Sequence, residues 1–277
     1  MTPRDGPQLA PEILEHYRAF DEAGRLRAGS GPLEFARTEE IVRHRLPPGA
    51  LDVIDVGGGA GAHALWLAGD GHAVELVDPV PEHVERARGA AQRAGVRFDA
   101  QVGDARRLPF GDERFDVALL FGPRYHLPDA HDRAVALREA SRVLRPGGRL
   151  FVAAISRFAS LFTGVRKGYL DDPRFFDIVL DDLVTGRHHN TTADPEYFTT
   201  AFFHTPDVLR AEIESAGFGV GAPVAVEGPA WVLAEFDRRW ADDAWRRCYL
   251  TRLRDIETEP CVVAASAHII AIGTKAA

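Results

Sequence analysis

The chain predicts an α/β fold organised on a doubly wound parallel sheet. Short apolar strands alternate with amphipathic helices between residues 51 and 155, and a glycine-rich turn joins the first strand directly to a helix. Alternation of this kind implies right-handed parallel crossovers. The near-continuous apolar strands DVALLF and RLFVAAI suit a sheet covered on both faces.

The elements follow in order. From Pro11 to Leu26, Ile13, Tyr17, Phe20 and Ala23 recur at helical spacing. Gly29 to Pro32 break that helix, and Leu33 to Leu46 resume one that Pro47 and Pro48 stop. Val53 to Val56 form the first strand, Gly57, Gly58, Gly59 and Gly61 the turn, and Ala62 to Ala68 the helix leaving it. Ala73 to Val77 are the second strand, ending in Asp78-Pro79, and Pro81 to Ala94 a helix closed by Gly95. Val96 to Val102 alternate as a third strand ending at Gly103-Asp104, and Phe115 to Phe121 are the fourth. The helix Ala130 to Leu144 stops at Pro146-Gly147-Gly148 before the fifth strand, Leu150 to Ile155.

Ser156 to His204 break the rhythm with few periodic segments and read as an insertion over the sheet's carboxyl edge. A helix from Thr205 to Ala216, a strand near Gly219 to Val226, helices across Ala230 to Ile256 and a last strand from Ala265 to Ile272 complete the chain. The expected domains are therefore 1–50, N-terminal helices; 51–155 with 205–277, the core; and 156–204, the insertion.

The 277 residues are 45% hydrophobic and 27% charged, enough for a buried core. A net charge of -8 disfavours nucleic acid as a partner. Cys248 and Cys261 fit neither a disulfide framework nor a metal knuckle and read as reduced thiols. No HExxH, CxxC or paired-carboxylate pattern occurs, so no metal is expected. The N-terminus has no apolar signal segment, and the run Cys261 to Gly273 is too short to span a bilayer. A cytoplasmic protein without a membrane partner is expected.

In open α/β sheets the ligand lies beyond the carboxyl ends of the strands. Three acids gather there: Asp55 inside the first strand, Asp78 after the second and Asp104 after the third. A single such Asp is as often a turn former; three at matching ends weaken that reading. The turn also fits G-x-G-x-x-G/A with an acid downstream, as a nicotinamide oxidoreductase requires. Asp55 argues otherwise, because an acid just before the glycines is unwelcome to a pyrophosphate on the helix N-terminus. It suits a ligand carrying an amine and a sulfonium. Asp104-Ala105 stands where a carboxylate can hold an adenine amine.

VIDVGGGAG, ELVDP, VGDARRLPF, FDVALLF and RVLRPGG, between Leu51 and Ile155, resemble the successive signature segments of class I S-adenosylmethionine-dependent methyltransferases. The resemblance implies a Rossmann-like, seven-stranded sheet whose last strand is antiparallel, with an N-terminal helical lid that includes Tyr17 and Arg25. It implies S-adenosyl-L-methionine as cofactor and a small-molecule acceptor, with secondary metabolism suggested by family analogy alone. Asp55 and Gly57 to Gly61 face the methionine portion in that reading. Asp78, with Pro79 beside it, accepts both ribose hydroxyls. Asp104 and Ala105 hold the adenine, Tyr17 closes over the cofactor, and Phe121 and Gly122 flank the transferred methyl. Gly122 to Leu127, GPRYHL, is similar to a GPxYHL run of related small-molecule enzymes, which makes His126 a candidate base or orienting group and Tyr125 a pocket wall. The competing reading is that His126 bonds a loop carbonyl and only fixes the turn.

Other candidates carry weaker expectations. His188 and His189 read as solvated, His204 as a pocket or helix-cap residue, and Glu227 as a surface acid or an amine partner. The arginines between Arg238 and Arg254 read as a salt-bridged helical face. The aromatic residues of the insertion divide between packing and an acceptor pocket. Two alternatives remain beside the methyltransferase: the oxidoreductase, which has no use for Asp55 or Asp104, and a non-catalytic protein that binds the cofactor and regulates a partner.

Overall fold

The computed structural model describes Ile13 and residues 22–26, 28–122, 124–192, 194–233 and 235–277. A helix α1 (Gly31–Arg43), with Pro32 in its first turn, precedes the first strand. The alternating segments then form β1 (Asp52–Val56), α2 (Ala62–Gly69), β2 (Ala73–Asp78), α3 (Pro81–Ala94), β3 (Asp99–Val102), β4 (Phe115–Leu120), α4 (Ala130–Val143) and β5 (Leu144–Ile155). The insertion holds α5 (Ala159–Lys167), α6 (Pro173–Thr185), β6 (Arg187–His188) and β7 (Ala201–Phe202). The chain returns through α7 (Pro206–Ser215), β8 (Phe218–Val220), β9 (Val224–Ala225), α8 (Phe236–Ala241), α9 (Asp243–Ile256), α10 (Pro260–Ala265) and β10 (His268–Lys275).

The main sheet has the order β3-β2-β1-β4-β5-β10-β8, with β9 also on β10. Strands β1 to β5 are parallel, and β10 runs antiparallel between β5 and the β8/β9 pair. Both faces are covered. Leu120, Leu137, Val152 and Ile213 pack on one side, and Leu67, Val84, Leu119 and Phe151 on the other. The expected doubly wound sheet with an antiparallel last strand is what forms.

Several features differ from expectation, among them the starts of β3 at Asp99 and β5 at Leu144, which were expected at Val96 and Leu150. The sixth strand is two pieces, because Pro223 lacks the N–H a ladder needs and Gly221 loosens the chain before it. The last strand begins at His268, since residues from Pro260 to Ala265 make a short helix first. The insertion is substantially helical. In α6, Phe175, Ile178, Val179 and Asp182 are buried while Phe176, Leu180 and Val184 stay exposed, so apolar residues on two faces blurred the period.

Arg37 anchors α1 to the sheet. Its side chain is fully buried; Nε donates to the Val226 carbonyl at 3.2 Å and Nη2 to Glu257 Oε2 at 2.6 Å. Arg45 also pairs with Glu257. No helix among the described residues is long and apolar enough to cross a membrane.

Replacing Arg37 by Leu strands the Val226 carbonyl and leaves Glu257 with Arg45 alone, and removing one partner of a buried pair costs roughly 3–5 kcal/mol. Urea denaturation measures this, and a loss below about 1 kcal/mol would show that α1 docks without the guanidinium.

Candidate functional site

The connections from β1 and β4 leave in opposite directions along the sheet, which opens a crevice at their carboxyl ends. A cavity of about 450 Å³ lies there. Twelve of the predicted residues meet in its wall: Asp55, Gly57, Gly58, Gly59, Asp78, Pro79, Asp104, Ala105, Phe121, Gly122, Tyr125 and His126. Gly61 stands behind that wall, capping α2 and facing Ala87 and Phe98. Tyr17 lies outside the described residues.

The glycine turn is dictated by close approach. A Cβ on Gly58 would stand 2.6 Å from Asp55 Oδ2, so only hydrogen fits between the turn and the acid beneath it. Gly59 adopts φ 55°, and a Cβ there would meet nothing within 4 Å. Its N–H donates to Asp78 Oδ2 at 2.9 Å.

The three acids differ in how far their oxygens are committed. Asp55 is 1% exposed, and its Oδ2 has no hydrogen-bond partner. Burial, and then the nearby Asp78 charge, push its carboxyl up to about 7 against a hydrogen bond from the Ala64 N–H. Asp78 Oδ1 accepts from the Val80 N–H at 2.9 Å and lies 3.1 Å from His83 Nδ1. Asp104 Oδ1 accepts from the Arg106 N–H and Nε, and Oδ2 from Arg106 Nη2 at 2.7 Å. Each carboxylate oxygen has two acceptor sites. By that count Asp78 and Asp104 each keep one open position on Oδ2, so a contact from Asp78 to both ribose hydroxyls requires His83 or a backbone donor to yield.

Beyond β4, Gly122 packs against the Gly57 carbonyl, which a Cβ would approach to 2.8 Å. His126 is 4% exposed on the single turn Arg124–His126, with Nδ1 3.3 Å from the Thr200 carbonyl. Facing a carbonyl, that nitrogen carries the proton. The Tyr125 ring lies 4.5 Å from the imidazole.

Several site residues were not anticipated. His63 sits between Phe35 and Phe121, and burial pulls it down to about 4, so it is neutral at pH 7. Glu34 accepts from Arg25 at 2.6 and 2.8 Å; despite burial, Arg25 and His268 hold its carboxyl at about 2. His268 Nδ1 lies 2.5 Å from Glu227 Oε1 and 3.7 Å from Glu34 Oε2. Burial opposes its protonation, but the two carboxylates raise it to about 9. Glu227, expected to be a surface acid, is 1% exposed; its Oε2 accepts from Ser266 Oγ at 2.8 Å and from the His268 N–H at 2.9 Å. The donor atoms of Glu34, Glu227 and His268 lie within 4.8 Å of one another, a spacing a cation can use. The charges of Arg25 and protonated His268 already balance both carboxylates.

The remaining candidates lie elsewhere. His188, expected to be solvated, is buried between Asp182 and the Tyr197 carbonyl, while His189 is exposed. His204 is buried near Glu212, outside the cavity lining, and Thr205 caps α7. Arg238, Arg246, Arg252 and Arg254 pair with carboxylates as a salt-bridged helical surface. Among the described residues no side chain of the insertion lines the cavity. Its rings pack on each other instead, as Tyr169, Phe175 and Tyr197 do.

Comparison with known proteins bears on this cavity. Residues 53–148 match a family model described as a methyltransferase domain. The chain is 30% identical to a ubiquinone biosynthesis O-methyltransferase of Methylobacterium nodulans over 79% of its own length and 86% of that protein's. It is 31% identical to an enzyme of the same name from Azorhizobium caulinodans, over 62% of this chain and 60% of that one. A SAM-dependent methyltransferase structure from Methanosarcina mazei shares the fold with a TM-score of 0.59 at 22% identity, covering 85% of this chain and 97% of that one.

The raised Asp55 carboxyl has a measurable consequence without ligand. Between its usual value of 3.8 and about 7 the folded state binds more protons than the unfolded state, so this group's contribution to stability falls as pH rises through that window. Asp55→Asn is expected to flatten the decline of Tm between pH 4 and 7. An unchanged slope would mean the carboxylate is solvated.

Proposed function

We propose, from the premise that this chain belongs to the S-adenosylmethionine-dependent methyltransferases, that it transfers a methyl group to a hydroxyl of a small-molecule acceptor. The observation carrying the cofactor assignment is the orphaned Oδ2 of Asp55 under the glycine turn, beside Asp78. Two buried acids repel a pyrophosphate and attract the positive charge of a methionine amine and sulfonium. That observation favours S-adenosylmethionine over a nicotinamide dinucleotide.

The cofactor supplies an electrophilic methyl on a sulfonium, and the chain's work is to align it and exclude water. Asp55 and the Gly57 to Gly59 backbone hold the methionine end in this reading. Asp78 Oδ2 binds one ribose hydroxyl beside Pro79, and Asp104 Oδ2 with Ala105 takes the adenine edge. Phe121 and Gly122 flank the methyl. His126 orients the acceptor, with Tyr125 as its wall; the insertion backs that wall through the Thr200 carbonyl. The hydroxyl acceptor draws support from the O-methyltransferase relatives.

S-adenosylhomocysteine is expected to raise the melting temperature and NAD to leave it unchanged, since a ligand at a hundred times its Kd stabilises by about 2.7 kcal/mol. Stabilisation by NAD alone would overturn the assignment; binding without turnover on any acceptor would make the protein a sensor. Asp78→Ala should weaken S-adenosylhomocysteine binding by roughly 10- to 150-fold, the worth of a charge-assisted hydrogen bond at about 1.5–3 kcal/mol. His126→Ala should raise the acceptor KM, and unchanged kinetics would leave His126 as a turn-fixing residue.

A further inference from the structure

The cavity is longer than the cofactor reading uses. Its wall runs from Asp104, just past β3, to His268 on β10, across β2, β1, β4 and β5. Six neighbouring strands span five intervals of ~4.8 Å, roughly 24 Å. The cofactor's path from Asp104 to Gly122 takes three of them. The register carries Leu120 level with Val152, and Ile155 pairs with His268, so Gly122 and His268 stand near the same height on the sheet edge. Between them remain two intervals, roughly 10 Å, the width of one aromatic ring and its substituents.

The far wall of that space is a histidine held by a carboxylate. Glu227 is fixed by Ser266 Oγ and the His268 N–H, and its Oε1 fixes His268 Nδ1. His268 Nε2 has no hydrogen-bond partner among the described residues, and the side chain is 22% exposed at the cavity wall. A carboxylate on one imidazole nitrogen sets the ring and tautomer and balances the charge formed when the other nitrogen takes a proton.

We propose that His268, oriented by Glu227, is the proton acceptor for methyl transfer to an acidic hydroxyl, phenolic or enolic, seated between Gly122 and β10. This rests on the methyltransferase reading above. The acceptor oxygen's electron pair forms the O–CH3 bond, the S–CH3 bond breaks with its pair left on sulfur, and the hydroxyl proton passes to Nε2. His268 faces Glu227, with Ser266 behind it, Glu34 of α1 and, through Glu34, Arg25 and the neutral His63 of α2. Against burial, the two carboxylates bring it to about 9, near the value of ~10 for a phenol, so the proton is shared without a large uphill transfer. The proton-accepting form fills as pH rises toward 9.

The test uses the full chain, a labelled methyl donor and substituted phenols and 1,3-diketones of different acidity, with S-adenosylhomocysteine affinity measured in parallel. For the wild type, kcat/KM should rise with unit slope to a break near pH 9 that does not move with the acidity of the phenol. His268→Gln should keep its S-adenosylhomocysteine affinity within twofold, lose about 100-fold or more in kcat and lose the break. Glu227→Gln should move the break to lower pH. A flat wild-type profile, a break that follows the phenol, or wild-type kinetics in His268→Gln overturns the proposal, and so does methylation of aliphatic alcohols or amines alone. Failure of the wild type to bind S-adenosylhomocysteine overturns the underlying reading instead. The wild-type profile decides the matter even if a variant fails to fold.

Discussion

An acid held under a turn with no room for a side chain is the constraint on which the rest of the site depends. Asp55 sits inside a parallel strand, where neither face offers water, and Gly58 passes close over it. A Cβ at Gly58 would drive into the carboxylate or lift the turn, and lifting the turn would remove the Gly59 N–H from Asp78. The turn geometry, the position of Asp78 and the depth of the cavity are therefore one arrangement. Its cost is a carboxyl displaced far from its usual range. The free protein relieves that cost by keeping a proton on Asp55 to higher pH.

Sheet topology explains why the second half of the chain reaches the same cavity. Parallel strands β1 to β5 all end at one edge, and an antiparallel strand inserted beside β5 must begin at that edge. The first residue of β10 is His268, and Glu227, just past β9, meets it there. Arg37 extends the same logic to the N-terminal segment. By capping the carbonyl of Val226 it holds α1 where Glu34 completes the ion-pair cluster.

Much of this was legible in the chain. Period, glycine punctuation and acids at strand ends located β1 to β5, the glycine turn, Asp55, Asp78 and Asp104 with Ala105, because each signal is local; the resemblance to a known family pointed to Pro79, Phe121, Gly122, Tyr125 and His126. What was missed is non-local. Glu34 of α1 is remote in sequence from both Glu227 and His268, which are themselves 41 residues apart, and nothing near any of them marks it as a site. The antiparallel sense of the last strand was the available signal for His268, since it puts that strand's first residue at the ligand edge. His188 and Glu227 looked solvated because polar neighbours in sequence say nothing about Asp182 or Ser266 closing over them. In the insertion, exposed apolar residues on α6 concealed a helix that packs in the ordinary way.

The cavity divides electrostatically along the sheet. At the β1/β2 end, among the described residues, no cationic side chain bonds Asp55, and His83 is the one that stands against Asp78. At the β10 end, Glu34 and Glu227 are compensated by Arg25 and His268. A positively charged donor is drawn to the first end and gains nothing at the second. A neutral acceptor pays no charge penalty at the second end and finds a proton-exchanging nitrogen there. The methyl transfer proposed above would use this asymmetry, because the positive charge on the donor's sulfur is lost as a proton charge appears on the acceptor side. In that proposal the two ends of one cavity serve the two ends of that change.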